Sequence, residues 1–153
     1  MSMFLRIILP VSVVIFALDR LSKIWIVEWL DLQSRLILDV LPPFVNFRMA
    51  WNTGINFGIG GGGPEEARWL LIALSFIISA ALLWWVLRRK ERSLAFGAGA
   101  VIGGALGNAW DRFEYGAVAD FLNMSCCGID NPFSFNIADI AIFAGAIWIA
   151  FRA

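Results

Sequence analysis

The sequence predicts a membrane all-α bundle of four transmembrane helices with a small β-sheet in the outer loops. Of its 153 residues, 60% are hydrophobic and 16% are charged, and the mean hydropathy is +0.77. A soluble domain has about 25% charged residues. A spanning helix needs about 20 mainly apolar residues, and four segments meet that need, at about 4–28, 67–87, 94–112 and 136–152. Four spans leave almost no room for a second domain, so residues 1–153 are predicted to form one.

The first segment is predicted to be a transmembrane helix and not a cleaved signal. No small-x-small cleavage site follows Leu18, and the apolar pattern continues to Val27.

Basic residues predict the orientation, because lysine and arginine accumulate in short cytoplasmic loops. The connection Arg88–Arg92 has four basic residues in five. Most of the charged residues in the larger connections, at about 31–66 and 113–135, are acidic. Both termini are therefore expected in the cytoplasm and both larger loops outside. The formal net charge is zero, which indicates no nucleic-acid partner.

The first outer loop predicts a β element over about 34–58. Large apolar residues stand at every second position of Val45–Asn52, the period of a half-buried strand. A second short strand is expected at 36–38. Gly60–Gly63 then predicts a flexible hinge or flap, and Pro64 starts the second helix with two acids in its first turn.

The third helix is predicted to have two distinct faces. Gly99, Gly103 and Gly107 recur every four residues, so they form one face for close helix packing. Asn108 and Arg112 follow the same spacing beside them, and polar side chains facing lipid are costly. That second face should point into the bundle or into a wet cleft.

Asp120 and Asp139 are the candidate acid-base groups. The chain has no histidine, which excludes a Ser-His-Asp triad, a Cys-His pair and an HExxH metal site. Both aspartates are expected at the outer ends of the third and fourth helices.

Five blocks resemble the lipoprotein signal peptidases, the signal peptidase II family, in order and approximate spacing. The likeness extends from about residue 16 to residue 143, and the Gly-Asn-x-x-Asp-Arg and Asn-x-Ala-Asp patterns together are highly specific. The blocks are Asp19–Lys23, Asn52–Gly58, Gly103–Arg112, Val118–Phe121 and Phe135–Asp139.

The resemblance implies an aspartic endopeptidase of the bacterial inner membrane, with its active site at the periplasmic face. Its substrates would be diacylglyceryl-modified prolipoproteins, cut before the lipid-modified cysteine, with membrane lipids as further partners and with no cofactor or metal. Asp120 and Asp139 match the catalytic pair. The positions that match substrate-binding or site-supporting residues are Asp19, Asn52, Gly54, Asn108, Asp111, Arg112 and Asn136.

Each of these residues also has a simpler structural interpretation. Asn136 and Asp139 fit a helix N-cap with an acid in the first turn. Asp120 alone would be read as a solvated loop acid. Asp19 and Lys23, four residues apart, fit an ion pair on one helix face. Arg112 fits an interface anchor or a group that binds the substrate backbone.

Three other functions compete with the peptidase. A small four-helix proton-coupled transporter would place its key acid near the bilayer midplane. A purely structural membrane subunit would not need polar residues clustered at one surface. A serine–lysine peptidase would have to use Ser22 and Lys23, which are adjacent and point in different directions on a helix.

Overall fold

Four long helices dominate the computed structural model, which describes residues 5–54 and 64–152. Helix α1 is Leu5–Lys23 and continues as a π-helical segment, Ile24–Trp29. A short helix α2 follows at Leu32–Arg35. Helices α3, α4 and α5 are Pro64–Arg89, Arg92–Tyr115 and Ile137–Arg152. All four apolar segments are therefore helical, and α3 begins at the predicted proline with Glu65 and Glu66 in its first turn.

Helix α4 packs against the three other long helices, and glycines allow the closest approaches. A Cβ at Gly103 would lie 2.6 Å from the Ser12 carbonyl oxygen of α1, and one at Gly104 would lie 2.5 Å from the Ala138 carbonyl oxygen of α5. Gly99 likewise faces α1. The predicted glycine face is thus confirmed as the α1 contact, because only glycine lets these backbones meet.

A three-stranded antiparallel sheet covers one end of the bundle. Strands β1 (Ile37–Leu41), β2 (Val45–Asn52) and β3 (Val118–Met124) lie in the order β1-β2-β3. The two strands expected in the first outer loop are confirmed, while β3 was not predicted. Residues 118–121 of β3 are all buried, so both of its faces are covered and no alternating pattern marks it as a strand.

An apolar cluster fixes the sheet onto the end of α1. Phe121 and Ala119 of β3 are fully buried against Ile26 and Val27 of the π-helical segment and against Leu32 of α2. Phe47 meets Phe121 edge-to-face, with ring centroids 6.0 Å apart. Since side chains alternate along a strand, Asp120 points to the opposite face, toward α4 and α5.

Helix α3 is the clearest candidate for a membrane-spanning helix. Among the described residues, Glu65–Arg89 is the one helical stretch whose length and composition suffice to cross a membrane, with a mean hydropathy of 2.5. Helix α1 carries four charged residues and α5 has only 16 residues. The prediction of four spans stays a prediction. The glycine hinge at 60–63 and the end of the outer β element at 55–58 lie outside the described residues.

Candidate active site

Asp120 lies on strand β3, on the face turned toward the helices, and is 4% exposed. Its two carboxylate oxygens accept hydrogen bonds from the side-chain amides of Asn136, at 2.7 Å, and Asn52, at 3.1 Å. The β2–β3 register explains the second bond. Asn52 pairs with Val118, two residues before Asp120, so the Asn52 and Asp120 side chains share one face of the sheet. The interpretation of Asp120 as a solvated loop acid is wrong, because β3 buries this carboxyl, and the expected position at the end of a helix is wrong because Asp120 lies on a strand.

Asp139 lies in the first turn of α5 and is half-buried. Its backbone N–H donates to the Asn136 side-chain oxygen at 2.8 Å, and its carboxylate accepts a hydrogen bond from the Asn108 amide at 2.9 Å. Asn136 precedes the helix and bonds its third residue, which is the geometry of an N-cap. The cap interpretation is therefore correct, and the same cap holds Asp139 in position.

Asn136 and Asn108 join the two aspartates through side-chain amides. The Asn136 amide group donates to Asp120 at 2.7 Å and to the Asn108 side-chain oxygen at 3.2 Å. Asn108 in turn donates to Asp139. A continuous set of hydrogen bonds therefore runs from one carboxylate to the other across β3, α4 and α5.

Burial raises the pKa of the Asp120 carboxyl from its ordinary 3.8 to about 6. The nearby charge of Asp139 is the second contribution to this rise, because like charges in a poorly solvated site are costly. Hydrogen bonds from Asn52 and Asn136 and the charge of Lys23 act in the opposite direction. Asp120 therefore keeps a proton to a higher pH than an ordinary carboxyl does, while Asp139 is the more accessible of the two aspartates.

Asp19 and Asp111 are both fully buried and support the site through hydrogen bonds to the backbone. Asp19 accepts the backbone N–H of Ala138 at 3.0 Å, and Asp111 accepts that of Ala119 at 3.1 Å. The predicted Asp19–Lys23 pair is present, with 2.7 Å between the Lys23 ammonium and Asp19 Oδ2. Sequence reasoning missed that Lys23 also contacts Asp111, at 2.6 Å.

Arg20 is a second residue that sequence reasoning missed. Its guanidinium pairs with Asp111 and, at 2.9 Å, with Glu114, so it ties α1 to the end of α4. The position of Arg20 inside the Asp19–Lys23 block was the sequence feature that could have identified it. Ser22 donates to the Asp19 carbonyl oxygen at 2.7 Å, so it makes no serine–lysine pair with its neighbour.

Gly54 follows β2 in a backbone conformation with a φ of +89°, which favours glycine. Its N–H donates to the Asn52 side-chain oxygen at 3.0 Å, which orients the amide of Asn52 toward Asp120. A Cβ at this position would overlap the Cδ1 atom of Leu71. Gly54 therefore supports the site through Asn52 and through a close approach to α3.

Arg112 and Asn108 line a cavity of about 250 Å³ between α3, α4 and α5. The rest of its lining is mainly apolar and includes Leu71, Ile78 and Ile142. The Arg112 Nη1 donates to the Asn108 carbonyl oxygen at 3.3 Å, while its buried Nε has no hydrogen-bond partner among the described residues. An apolar groove thus leads to a polar end beside Asp139, with one guanidinium donor unused.

Comparisons with known proteins agree on one family. Residues 11–153 match the family model described as signal peptidase (SPase) II. A lipoprotein signal peptidase of Rhodopseudomonas palustris (strain ATCC BAA-98 / CGA009) is 39% identical over 137 residues, which cover 88% of this chain and 83% of the relative. One from Methylorubrum extorquens (strain PA1) is 42% identical over 131 residues, covering 86% and 75%.

Two solved structures of bacterial membrane enzymes, obtained by the in meso method at 2.3 Å and 1.9 Å resolution, have a similar fold. Each is 25% identical to this chain and covers 95% of it, with TM-scores of 0.74 and 0.76. The match covers 85% and 90% of the two solved chains.

Proposed function

We propose that this chain, which belongs to the signal peptidase II family, cleaves its substrates with Asp120 and Asp139 as an aspartic pair. The protein is a peptidase of the bacterial inner membrane that removes signal peptides from prolipoproteins. The single observation that carries the proposal is the set of asparagine bonds that joins the two carboxylates through Asn136 and Asn108.

The electrostatics of the pair support a shared-proton mechanism. Two close carboxylates in a dry cleft cannot both ionise cheaply, so they hold one proton between them. The raised pKa of Asp120 favours that carboxyl as the protonated partner. Asp139 lies in the first turn of α5 and is more accessible than Asp120, which suits it to act as the base on a water molecule.

Cleavage then proceeds by attack of water on the scissile carbonyl carbon. Asp139 takes a proton from the water as the water oxygen bonds to that carbon, and Asp120 donates its own proton to the carbonyl oxygen. The tetrahedral intermediate collapses as the C–N bond breaks and the leaving nitrogen receives a proton from the carboxyl of Asp139. The proton on the former carbonyl oxygen returns to Asp120, which restores the pair.

The groove along α4 offers a place for the substrate. Helix α3 packs mainly on α4, so a lateral cleft lies between α3 and α5, and Ala105, Asn108 and Arg112 line its floor. In this arrangement the signal helix occupies the cleft, and Arg112 Nε donates to a backbone carbonyl near the scissile bond. Each lipid methylene that is buried contributes about 0.8 kcal/mol, so a diacylglyceryl group on the following cysteine anchors the bond at the site.

The membrane arrangement that fits these contacts has four spans. Large apolar side chains are exposed on the outer surfaces of the bundle, including Leu9, Phe76, Ile77 and Phe143. With Arg88–Arg92 in the cytoplasm, the sheet and both aspartates lie on the periplasmic side and both termini on the cytoplasmic side. A proton-coupled transporter is not supported, because the matching family model and the two named relatives are signal peptidases.

The test is cleavage of a purified prolipoprotein precursor in detergent, with and without its diacylglyceryl group. We expect cleavage before the modified cysteine only when the lipid is present. Equal cleavage of both precursors would contradict the lipid-anchoring part of the proposal. Cleavage that persists after Asp120→Asn or Asp139→Asn would contradict the aspartic pair.

A further inference from the structure

Lys23 is a buried lysine that the mechanism above does not use. Its side chain is 1% exposed, and its ammonium lies 2.7 Å from Asp19 Oδ2 and 2.6 Å from Asp111 Oδ2. One cation therefore joins two fully buried carboxylates. Asp19 lies on the same helix, four residues away, but Asp111 lies on α4.

Each of these carboxylates holds the backbone directly before one active-site aspartate. Asp19 Oδ1 accepts the N–H of Ala138, the residue before Asp139, at 3.0 Å. Asp111 Oδ2 accepts the N–H of Ala119, the residue before Asp120, at 3.1 Å. Both contacts are buried.

We propose that Lys23 is a positioning residue that sets the separation of Asp120 and Asp139 by holding Asp19 and Asp111 together. The inference rests on the function proposed above. In this arrangement Lys23 touches neither substrate nor reacting atoms, and it acts through two carboxylates and two peptide groups.

The topology shows why this link between Asp19 and Asp111 matters. Asp120 lies on β3 and Asp139 on α5, and a loop at 125–134 separates these elements. Backbone hydrogen bonds between Leu122 and Phe135, at 2.8 and 3.0 Å, join the elements on one side of the aspartates. The contacts made through Lys23 join them on the other side. Together with the Asn136 bond to Asp120, these two sets of contacts hold the distance and the relative rotation of β3 and α5, and loss of the Lys23 contacts removes the restraint on one side.

Charge explains why the central group has to be a cation. Without it, Arg20 would remain as a partner of Asp111 only, Asp19 would have no cation beside it, and the two buried carboxylates would separate or take up a proton. A lysine ammonium has three donors on a compact centre, so it can bond both carboxylates at once. Gly107 leaves room for this arrangement, because a Cβ there would lie 2.7 Å from Asp19 Oδ2.

The first test is Lys23→Met in the full-length protein, with Lys90→Met as the matched control. Lys90 is the only other lysine of the chain and lies exposed in the turn between α3 and α4. We expect kcat of the folded fraction to fall about a hundredfold, since displacement of catalytic groups by about 1 Å has that effect. KM should change less than about twofold, because Lys23 lies outside the cleft. The control should retain the wild-type kcat.

The pH profile separates positioning from a purely structural role. Burial raises the pKa of Asp120 and the charge of Lys23 opposes that rise. Loss of the ammonium should therefore move the alkaline limb of the kcat profile to higher pH. Other charges facing Asp120 are Asp139 of α5 and Arg112 of α4, and the substitution removes neither of them. A variant that is only less stable would keep the wild-type profile.

A charge-balanced variant keeps the inference testable if Lys23→Met does not fold. Lys23→Gln combined with Asp19→Asn removes one cation and one anion, and the introduced asparagine side chain can still accept the Ala138 N–H. We expect this protein to fold and to lose at least about tenfold in kcat with KM nearly unchanged. Wild-type kcat in either folded variant, with an unshifted pH profile, would overturn the role of Lys23.

Asp120→Asn, assayed in parallel, distinguishes the two proposals. If Asp120→Asn is inactive while Lys23→Met has wild-type kinetics, only the Lys23 inference is overturned. If Asp120→Asn is active, the aspartic pair itself is overturned.

Discussion

Asn136 donates a 2.7 Å hydrogen bond to Asp120 from the N-cap position of the helix that carries Asp139. One side chain thus begins α5 and orients a carboxyl on β3. Folding of the helix end and assembly of the site are consequently coupled, because neither contact can form correctly unless Asn136 is in place.

Replacement of either active-site aspartate by asparagine should nearly abolish cleavage. Asp120→Asn and Asp139→Asn keep the size of the side chain but remove its carboxylate. The double variant should be little worse than either single variant, because residues that act as a unit are not additive. Asp120→Glu and Asp139→Glu should also fail, since one added methylene displaces the carboxylate by about 1 Å. Cleavage of a lipid-modified precursor measures each rate.

Asp31→Asn and Asp130→Asn are the controls for these variants. Both aspartates are exposed and outside the hydrogen-bonded site, so both variants should cleave normally. If Asp120→Asn or Asp139→Asn kept more than about a tenth of the wild-type rate, a loss of only about 1.4 kcal/mol, that residue could not be a catalytic acid or base.

Asn136→Ser should separate the cap from the site. Serine is a good N-cap, so helix α5 and the melting temperature should be largely retained. The serine side chain is too short to donate to both Asp120 and Asn108, so kcat should fall strongly. Asn136→Ala should lose the cap as well, at about 1 kcal/mol of stability. Equal activity of Asn136→Ser and the wild type would show that the bond to Asp120 is not needed.

Asp120→Asn should stabilise the protein at neutral and alkaline pH. The pKa of Asp120 is about 6 in the folded protein against an ordinary 3.8, so the folded state binds this proton more tightly. The stabilisation of the folded state by this bound proton is fully present below about pH 4 and is lost as pH rises through about 6. The difference between these two pKa values corresponds to roughly 3 kcal/mol of unfolding free energy.

Thermal unfolding in detergent from about pH 4 to 8 measures this effect. The difference in unfolding free energy between Asp120→Asn and the wild type should grow with pH in favour of the variant. Asp130→Asn should show no comparable trend, because Asp130 is exposed. A difference that stays constant with pH would contradict the raised pKa of Asp120.

Ala105→Phe should obstruct the cleft between α3 and α5. Ala105 lies on the cleft floor, and a phenyl ring there would occupy much of the cavity of about 250 Å³. We expect kcat/KM for a lipid-modified precursor to fall at least about tenfold. Ala80→Phe, on an exposed part of α3, is the matched control and should cleave normally. Unimpaired cleavage by Ala105→Phe would place the substrate elsewhere.

Reporter fusions test the membrane orientation. Fusions near residues 60 and 128 should report the periplasm, and one near residue 90 the cytoplasm, because the dense basic cluster lies at Arg88–Arg92. A cytoplasmic signal at residue 128 would move both aspartates to the wrong side of the membrane.

The sequence by itself determined the helices, two of the strands and the identity of the candidate aspartates. The lengths of the apolar runs located the four long helices, and the alternating residues of Val45–Asn52 located β2. These features depend on neighbouring residues, so a local pattern is enough to predict them. The N-cap of Asn136 on Asp139 is local in the same way.

Only the tertiary structure decided where Asp120 lies and what holds it. Strand β3 is buried on both faces, which removes the alternating pattern, so its pairing with β2 could not be predicted. The second partner of Lys23 and the contact from Asp19 to Ala138 join residues that are 88 and 119 positions apart. Such contacts depend on how α1, α4 and α5 pack, and no local periodicity records that packing.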